Sequence, residues 1–275
     1  MGKIDLHVHT TASDGRFTPV EIVQKAVEYG LSHIAITDHD ALDGIGAAMQ
    51  AAEAYPWLTV IAGVEINTDV SSGELHVIGY FIDYYNQELI DTLERLRDSR
   101  VERARKMVEK LKKLGVYIEM ERVKELAGSG AVGRPHIARA MQEKGYIREY
   151  REAFSKYIGR DAPAYVERDK INPVEAVKLV KRARGLPVLG HPFTFENPEA
   201  MLAELKPLGL AGIEAYYDGY TAEQVSQLVE LADKYDLVPT GGSDYHGVDP
   251  LNETSLGGSG VPQQSVERLI ALARR

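Results

Sequence analysis

The sequence predicts an α/β protein whose sheet-forming segments are split by an all-helical insertion. Three observations carry that prediction. Short apolar runs alternate with helical patterns in βα order over residues 1–85 and again over 171–275. Between them, over 86–170, the pattern turns helical and highly charged, and it contains no convincing strand. No Gly-x-Gly-x-x-Gly follows the first strand, which weakens a dinucleotide-binding reading. About seven strands in βα order imply a parallel sheet, either a closed barrel or a doubly wound sheet.

Each element has its own signal. In Lys3–Val8, Ile4, Leu6 and Val8 fall on one face of a strand, and Asp5, His7 and then His9 on the other. Thr18-Pro19 opens a helix with Glu21 in its first turn and an apolar stripe of Val20, Val23, Ala26 and Val27; Gly30 ends it. Strands are expected at 33–37, 58–66 and 75–82, with a helix over 42–54. Residues 86–114 form a long charged helix with Leu89, Leu93, Leu96, Val101, Ala104, Val108 and Leu111 at spacings of mostly three and four. Shorter helices are expected at 119–127, 135–144 and 147–157. A helix with Pro173 near its start restores the βα alternation, followed by strands at 187–190, 212–216 and 237–240 and by helices from Pro198, over 222–235 and over 264–275.

Composition excludes several classes of protein. No run of about 18 apolar residues is present, so no membrane span or membrane partner is expected. The first residues lead directly into a strand and lack the apolar core of a signal peptide, so the cytoplasm is the expected location. The chain has no cysteine, which rules out disulfides, thiolate metal sites and a cysteine nucleophile. The net charge of −9 is unevenly spread: 86–170 holds 20 Lys/Arg and 15 Asp/Glu, a net of +5, and the remainder carries −14. Bound divalent cations would offset part of the acidic charge, and the basic insertion suits an anionic substrate.

Six of the eight histidines and three carboxylates fall mostly where an apolar run meets a loop: His7, His9, Asp14, His39, Glu65, His76, His191, Asp244 and His246. In a barrel, catalytic groups lie at the C-terminal ends of the strands, so one rim would collect nearly all of them. His76 is the exception, because it stands near the start of its strand and would have to approach through a hairpin. His7 and His9 are two apart on a strand and point the same way. Thr37-Asp38-His39-Asp40 ends the second strand, and Asp40 has the alternative of capping the following helix. The glycines of Gly241-Gly242-Ser243-Asp244-Tyr245-His246 allow a sharp turn or a close backbone approach to a ligand. Glu65, after a buried apolar run, needs an ion or a base as partner. Imidazole and carboxylate without thiolate suit Zn2+, Mn2+ or Fe2+. His33, at the start of a strand, reads as structural.

The segments Asp5-Leu6-His7-Val8-His9-Thr10, Ser13-Asp14-Gly15, Thr37-Asp38-His39-Asp40, Gly63-Val64-Glu65, Gly190-His191-Pro192 and Gly242-Ser243-Asp244-Tyr245-His246 together resemble the polymerase-and-histidinol-phosphatase (PHP) family of metal-dependent phosphoesterases. The resemblance implies a distorted seven-stranded, TIM-like βα barrel and a cluster of two to three divalent transition-metal ions. It assigns His7, His9, Glu65 and Asp244 to one ion. Bridging Glu65 with His76 and His191 would hold a second, and Asp14, His39 and His246 a third. Some family members carry His in place of Asp14, which keeps a ligand but weakens the expectation of a third ion.

The insertion segments Gly133-Arg134-Pro135-His136-Ile137-Ala138-Arg139-Ala140, Tyr157-Ile158-Gly159-Arg160 and Pro163-Ala164-Tyr165-Val166 resemble a subfamily that hydrolyses nucleoside 3′,5′-bisphosphates and includes enzymes trimming short RNA from the 5′ end. That resemblance assigns Arg134, His136 and Arg160 to the substrate's 5′-phosphate, where a guanidinium presents a planar fork to phosphate oxygens. The expected reaction is release of the 3′-phosphate by a metal-bridging hydroxide attacking in line. His191 or His246 would lie near enough to donate a proton, but a ligating imidazole is a poor acid and no general acid is assigned; Asp38 would orient a ligand histidine. The expected partner is a nucleotide bisphosphate or a short 5′-phosphorylated oligonucleotide, with no long nucleic-acid scaffold. Alternatives are a 5′→3′ exonuclease, a histidinol-phosphatase-type phosphomonoesterase and a catalytically silent metal-binding module.

Overall fold

A computed structural model of the chain describes residues 2–70, 73–128, 132–167, 171–217, 219–248 and 254–275. The chain divides into two compact units, Met1–Thr92 with Lys170–Arg275, and Leu93–Asp169. The insertion's expected C-terminal edge at residue 170 lies outside the described residues.

The first unit is built on one seven-stranded sheet in sequential order: β1 (Lys3–Val8), β2 (Leu31–Ile36), β3 (Thr59–Val70), β4 (Gly73–Tyr80), β5 (Leu186–Gly190), β6 (Gly212–Tyr217) and β7 (Val238–Gly242). The two edges approach each other, because His9 N donates to Tyr245 O at 3.0 Å and Val8 forms a parallel bridge with Tyr245. The sheet is thereby a nearly closed barrel rather than a doubly wound layer. The helices α1 (Pro19–Glu28), α2 (Asp43–Ala52), α7 (Pro173–Arg182), α8 (Pro198–Leu205), α9 (Ala222–Lys234) and α10 (Gln263–Ala273) alternate with the strands or follow the last one. The parallel expectation needs one correction. β4 runs antiparallel to both of its neighbours, β3 and β5, while every other pair is parallel.

Local chemistry explains the element ends. Thr18 caps α1 and forms a reciprocal capping box with Glu21, and Pro19 sits in the first helical turn. Asp40 takes a different role from the cap the sequence allowed. α2 begins at Asp43 with no side-chain cap from Leu42, and the Asp40 carboxylate accepts from Asn67 N at 3.1 Å and Asn67 Nδ2 at 3.3 Å. Strand β5 is buried along its whole length, which is why it reads as an unbroken apolar run. A core cluster joins Ile4 and Leu6 of β1, Ile61 of β3, Val188 of β5 and Val266 and Leu269 of α10. His33 is half-buried, its Nδ1 3.0 Å from Ser32 Oγ.

The helix α3 (Gln87–Lys113) leads into the second unit, which also contains α4 (Met120–Ala127), α5 (Arg134–Glu143) and α6 (Tyr150–Ala153). A π-helical turn, Phe154–Ile158, continues α6 where the periodicity predicts an ordinary helix. No strand occurs among the described residues of this unit. Its own core packs Met107, Leu111, Val116, Ile137, Met141 and Ile158 together. No helix among the described residues is long and apolar enough to cross a membrane.

Candidate metal centre

Strand ends deliver the candidate ligands to one rim. His7 lies in β1 and His9 just beyond it, His39 follows β2, His191 follows β5, and Asp244 and His246 follow β7. Glu65 does not end its strand as expected. β3 pairs with β2 only as far as Ala62 and then continues as a hairpin with β4, in which Glu65 faces Ile78 and Asn67 faces His76. Because β4 runs backwards, the start of its sequence lies at the rim where the other strands finish. That reversal is what brings His76 to the other ligands.

Glu65 is the hub. Its Oε2 lies 3.3 Å from His7 Nε2, 3.3 Å from His9 Nε2 and 2.8 Å from His39 Nδ1. Its Oε1 lies 2.5 Å from His76 Nδ1 and 2.8 Å from His191 Nε2. Asp244 Oδ1 closes on the first pair, 3.3 Å from His7 Nε2 and 2.9 Å from His9 Nε2. Among the described residues, three groups have donor atoms within 4.8 Å of one another: His7, His9, Glu65 and Asp244; His9, Asp14, His39 and His246; and His39, Glu65 and His76. Asp14 Oδ1 lies 3.4 Å from His246 Nε2, and Asp14 Oδ2 lies 3.9 Å from His39 Nε2. The fold thus gathers eight of the nine candidate residues in these groups, with His39 rather than His191 beside Glu65 and His76 and with His9 near Asp14, His39 and His246; His191 joins them through its 2.8 Å contact with Glu65.

The donor set fits divalent metal. His7 Nε2, His9 Nε2, Asp14 Oδ1, Glu65 Oε2, His76 Nε2 and Asp244 Oδ1 are buried without a hydrogen-bond partner. Leaving such atoms unsatisfied costs about 1–3 kcal/mol each, more where the group is charged. Several of them nevertheless converge at close range, so a shared cation accounts for the arrangement better than mutual hydrogen bonds do. Burial, then His246 and His39, lower His9 to about 4, and burial lowers His76; both are neutral at pH 7, the form that coordinates a metal. Burial opposes the charge on Glu65, but His39, His76 and His7 outweigh it and hold the carboxyl well below its usual range.

Residues behind the donors fix their orientation. Asp38 is buried, and both its oxygens are engaged: Oδ1 accepts from Thr10 N at 2.7 Å and Ser13 Oγ at 2.6 Å, and Oδ2 from Thr10 Oγ1 at 2.7 Å. Ser13 Oγ in turn lies 3.4 Å from His9 Nδ1. Asp5 accepts from Ser243 N at 2.9 Å, Ser243 Oγ at 2.6 Å and Gly257 N at 2.7 Å, tying β1 to the segment after β7. A Cβ on Gly242 would collide with the backbone and Cβ of His7, so this glycine serves the approach of β7 to β1 rather than a ligand.

Two residues escaped the sequence reading. Glu214 of β6 lies 2.9 Å from His7 Nδ1 and accepts from His191 N at 2.7 Å. Tyr217 donates to Asp244 Oδ2 at 2.7 Å. Glu214 had a signal, since a lone acid inside an apolar strand has to be paired; Tyr217 had none. The three residues assigned to the substrate phosphate belong to the second unit. There, Arg134 begins α5 with its guanidinium carbon 5.8 Å from the Phe154 ring centroid, His136 Nδ1 accepts from Gly133 N at 3.0 Å, and Arg160 follows the π-helical turn.

A barrel rim that gathers imidazoles and carboxylates without thiolate defines a metal-dependent hydrolase. The chain belongs to the PHP family of phosphoesterases: the model of the PHP domain matches residues 5–159. It is 33% identical over 250 residues to the 5′-3′ exoribonuclease Rnm of Escherichia coli, covering 88% of this chain and 84% of the relative. It is 29% identical over 251 residues to the 3′,5′-nucleoside bisphosphate phosphatase of Chromobacterium violaceum, covering 90% and 88%. Among solved structures, a metal-dependent phosphoesterase from Bifidobacterium adolescentis superposes with a TM-score of 0.87 at 28% identity, covering 98% of this chain and 96% of that one.

Proposed function

We propose that this PHP phosphoesterase releases the 3′-phosphate from nucleoside 3′,5′-bisphosphates and works with two to three Mn2+, Fe2+ or Zn2+ ions. The observation that carries the reading is the division of Glu65, with three imidazoles at Oε2 and two at Oε1, which suits a carboxylate shared between adjacent ions. In this reading His7, His9, Glu65 and Asp244 hold one ion, Glu65, His76 and His191 a second, and Asp14, His39 and His246 a third. Bound ions would polarise the phosphoryl oxygens and make a water acidic enough to attack near neutral pH.

The protein's own groups do the rest. Arg134, His136 and Arg160 bind the 5′-phosphate, so that binding energy aligns the scissile ester. Support for this comes from the resemblance of their segments and from the bisphosphate phosphatase relative. His191 and His246 are the proton-donor candidates, but an imidazole bound to an ion is a poor acid, so no general acid is assigned for the departing 3′-oxygen. Asp38 acts as a positioning residue, because Thr10 and Ser13 occupy its oxygens. A second reading, 5′→3′ cleavage of short 5′-phosphorylated RNA, is supported by the exoribonuclease relative and needs the same chemistry.

The test couples metal analysis of protein purified without added metal to a phosphate-release screen. Its substrates are nucleoside 3′,5′-bisphosphates, 5′-phosphorylated oligoribonucleotides, cyclic phosphates and histidinol phosphate. Bisphosphates are expected to be preferred, and Arg134→Ala is expected to lose that preference while still cleaving a simple aryl phosphate. Preference for histidinol phosphate, or an unchanged bisphosphate-to-aryl-phosphate ratio in Arg134→Ala, overturns the reading. Tight metal binding without turnover on any ester would make the chain a silent binding module.

A further inference from the structure

Glu214 lies outside every candidate ligand group, yet it touches two ligand residues from two other strands. It is fully buried in β6. Its Oε1 lies 2.9 Å from the His7 side-chain Nδ1, and its Oε2 accepts from the His191 backbone N–H at 2.7 Å. The two bonds do different work. With Nδ1 donating to Glu214, His7 keeps its Nε2 lone pair for the point it shares with Glu65 and Asp244. His191 has φ 23 and ψ 65, a left-handed conformation that costs about 1–3 kcal/mol for a non-glycine residue and persists only when its surroundings hold it. A short bond from a buried carboxylate to its N–H is such a hold.

We propose that Glu214 is a positioning residue that fixes the tautomer of His7 and the backbone of His191 at once, and so couples the ion held through His7 to the ion held through His191. The proposal rests on the metal-centre reading above.

Glu214→Gln separates the two bonds. The His191 N–H can only donate, so it claims the amide oxygen. The amide NH2 then faces His7 Nδ1, and His7 must accept there and carry its proton on Nε2, where it no longer binds a cation. Zinc titration and zinc content of the full chain are the measurements, with circular dichroism as the fold check. Wild type is expected to fill the His7 group. Glu214→Gln is expected to fold, to bind that zinc about 10–100-fold more weakly and to keep the His191-linked ion. Glu214→Ala is expected to weaken both ions. If Glu214→Gln does not fold, the ring-nitrogen shifts of zinc-loaded, 15N-histidine-labelled wild type decide, with a protonated Nδ1 expected on His7. Wild-type zinc affinity in Glu214→Gln, or a proton on Nε2 of His7 in the loaded wild type, overturns the proposal. A wild type that binds no zinc, manganese or iron overturns the metal-centre reading instead.

Discussion

Replacing Tyr217 by Phe deletes one hydroxyl from the metal centre and little else. The ring keeps its neighbours, with His191 at 5.4 Å and Tyr220 at 5.1 Å between centroids. What is lost is the bond from the hydroxyl to Asp244 Oδ2, 2.7 Å long. Burial and the nearby Asp244 push the phenol far above its ordinary range, so it donates at every accessible pH. A hydrogen bond to a charged group contributes about 1.5–3 kcal/mol, and the 22% exposure of the Asp244 side chain argues for the lower half of that range. At about 1.4 kcal/mol per factor of ten, the loss converts to about 10- to 40-fold in affinity if the bond serves mainly to hold Asp244 in its ligand rotamer. Asp244 Oδ1 approaches His7 and His9, so the weakening should fall on the ion of that group alone. Competition against a chromophoric chelator with Zn2+ or Mn2+ measures it, ion by ion. An affinity within about twofold of wild type, or an equal loss at every ion, would refute the argument that Tyr217 acts through Asp244.

Gly242→Ala should destabilise the first unit by about 1–3 kcal/mol or more, because the added methyl collides with His7; the single tryptophan, Trp57, lies in that unit and reports its unfolding in urea. Metal binding at the Asp14, His39 and His246 group should strengthen as pH rises. Burial works against the charge on His246, but Asp14 and Asp244 outweigh it and push its pKa up to about 10. His246 therefore carries a proton at pH 7 that a metal must displace, and affinity should gain about tenfold per pH unit until pH nears 10, with about one proton released by calorimetry in paired buffers. His9, lowered to about 4, should release none over this range. Asp14→Ala should lower metal content by about one ion per chain and leave the group containing Asp244 filled, by elemental analysis.

Much of this centre was legible in the chain because its ligands sit where apolar runs stop, and strand ends are where a barrel exposes side chains to its rim. The direction of β4 was harder to read. Apolar alternation reports that a strand exists, not which way it runs. The spacing did hold a clue: eight residues separate the expected strands 58–66 and 75–82, fewer than the dozen or more that a parallel crossover needs. Glu65 looked like a strand end because the apolar run stops there, whereas hairpin pairing carries β3 on to Val70. Glu214 carries no strand-end signal, because it lies inside β6. The glycines at 241–242 announced a close approach but not its object, which is the neighbouring strand. The π-helical turn after α6 has no periodic signature distinct from an ordinary helix.

The order in which the ligands occur along the chain ties capture of the full set of ions to the arrival of the last strand. His7 and His9 emerge first, and Asp244 and His246 come more than two hundred residues later. A nascent chain that has not yet made β7 carries seven of the nine candidate ligands, yet neither four-residue group is complete. Long-range contacts of this kind form late, since the intervening loop has to close before they contribute. A full complement of ions would therefore mark a chain that has joined its first strand to its last.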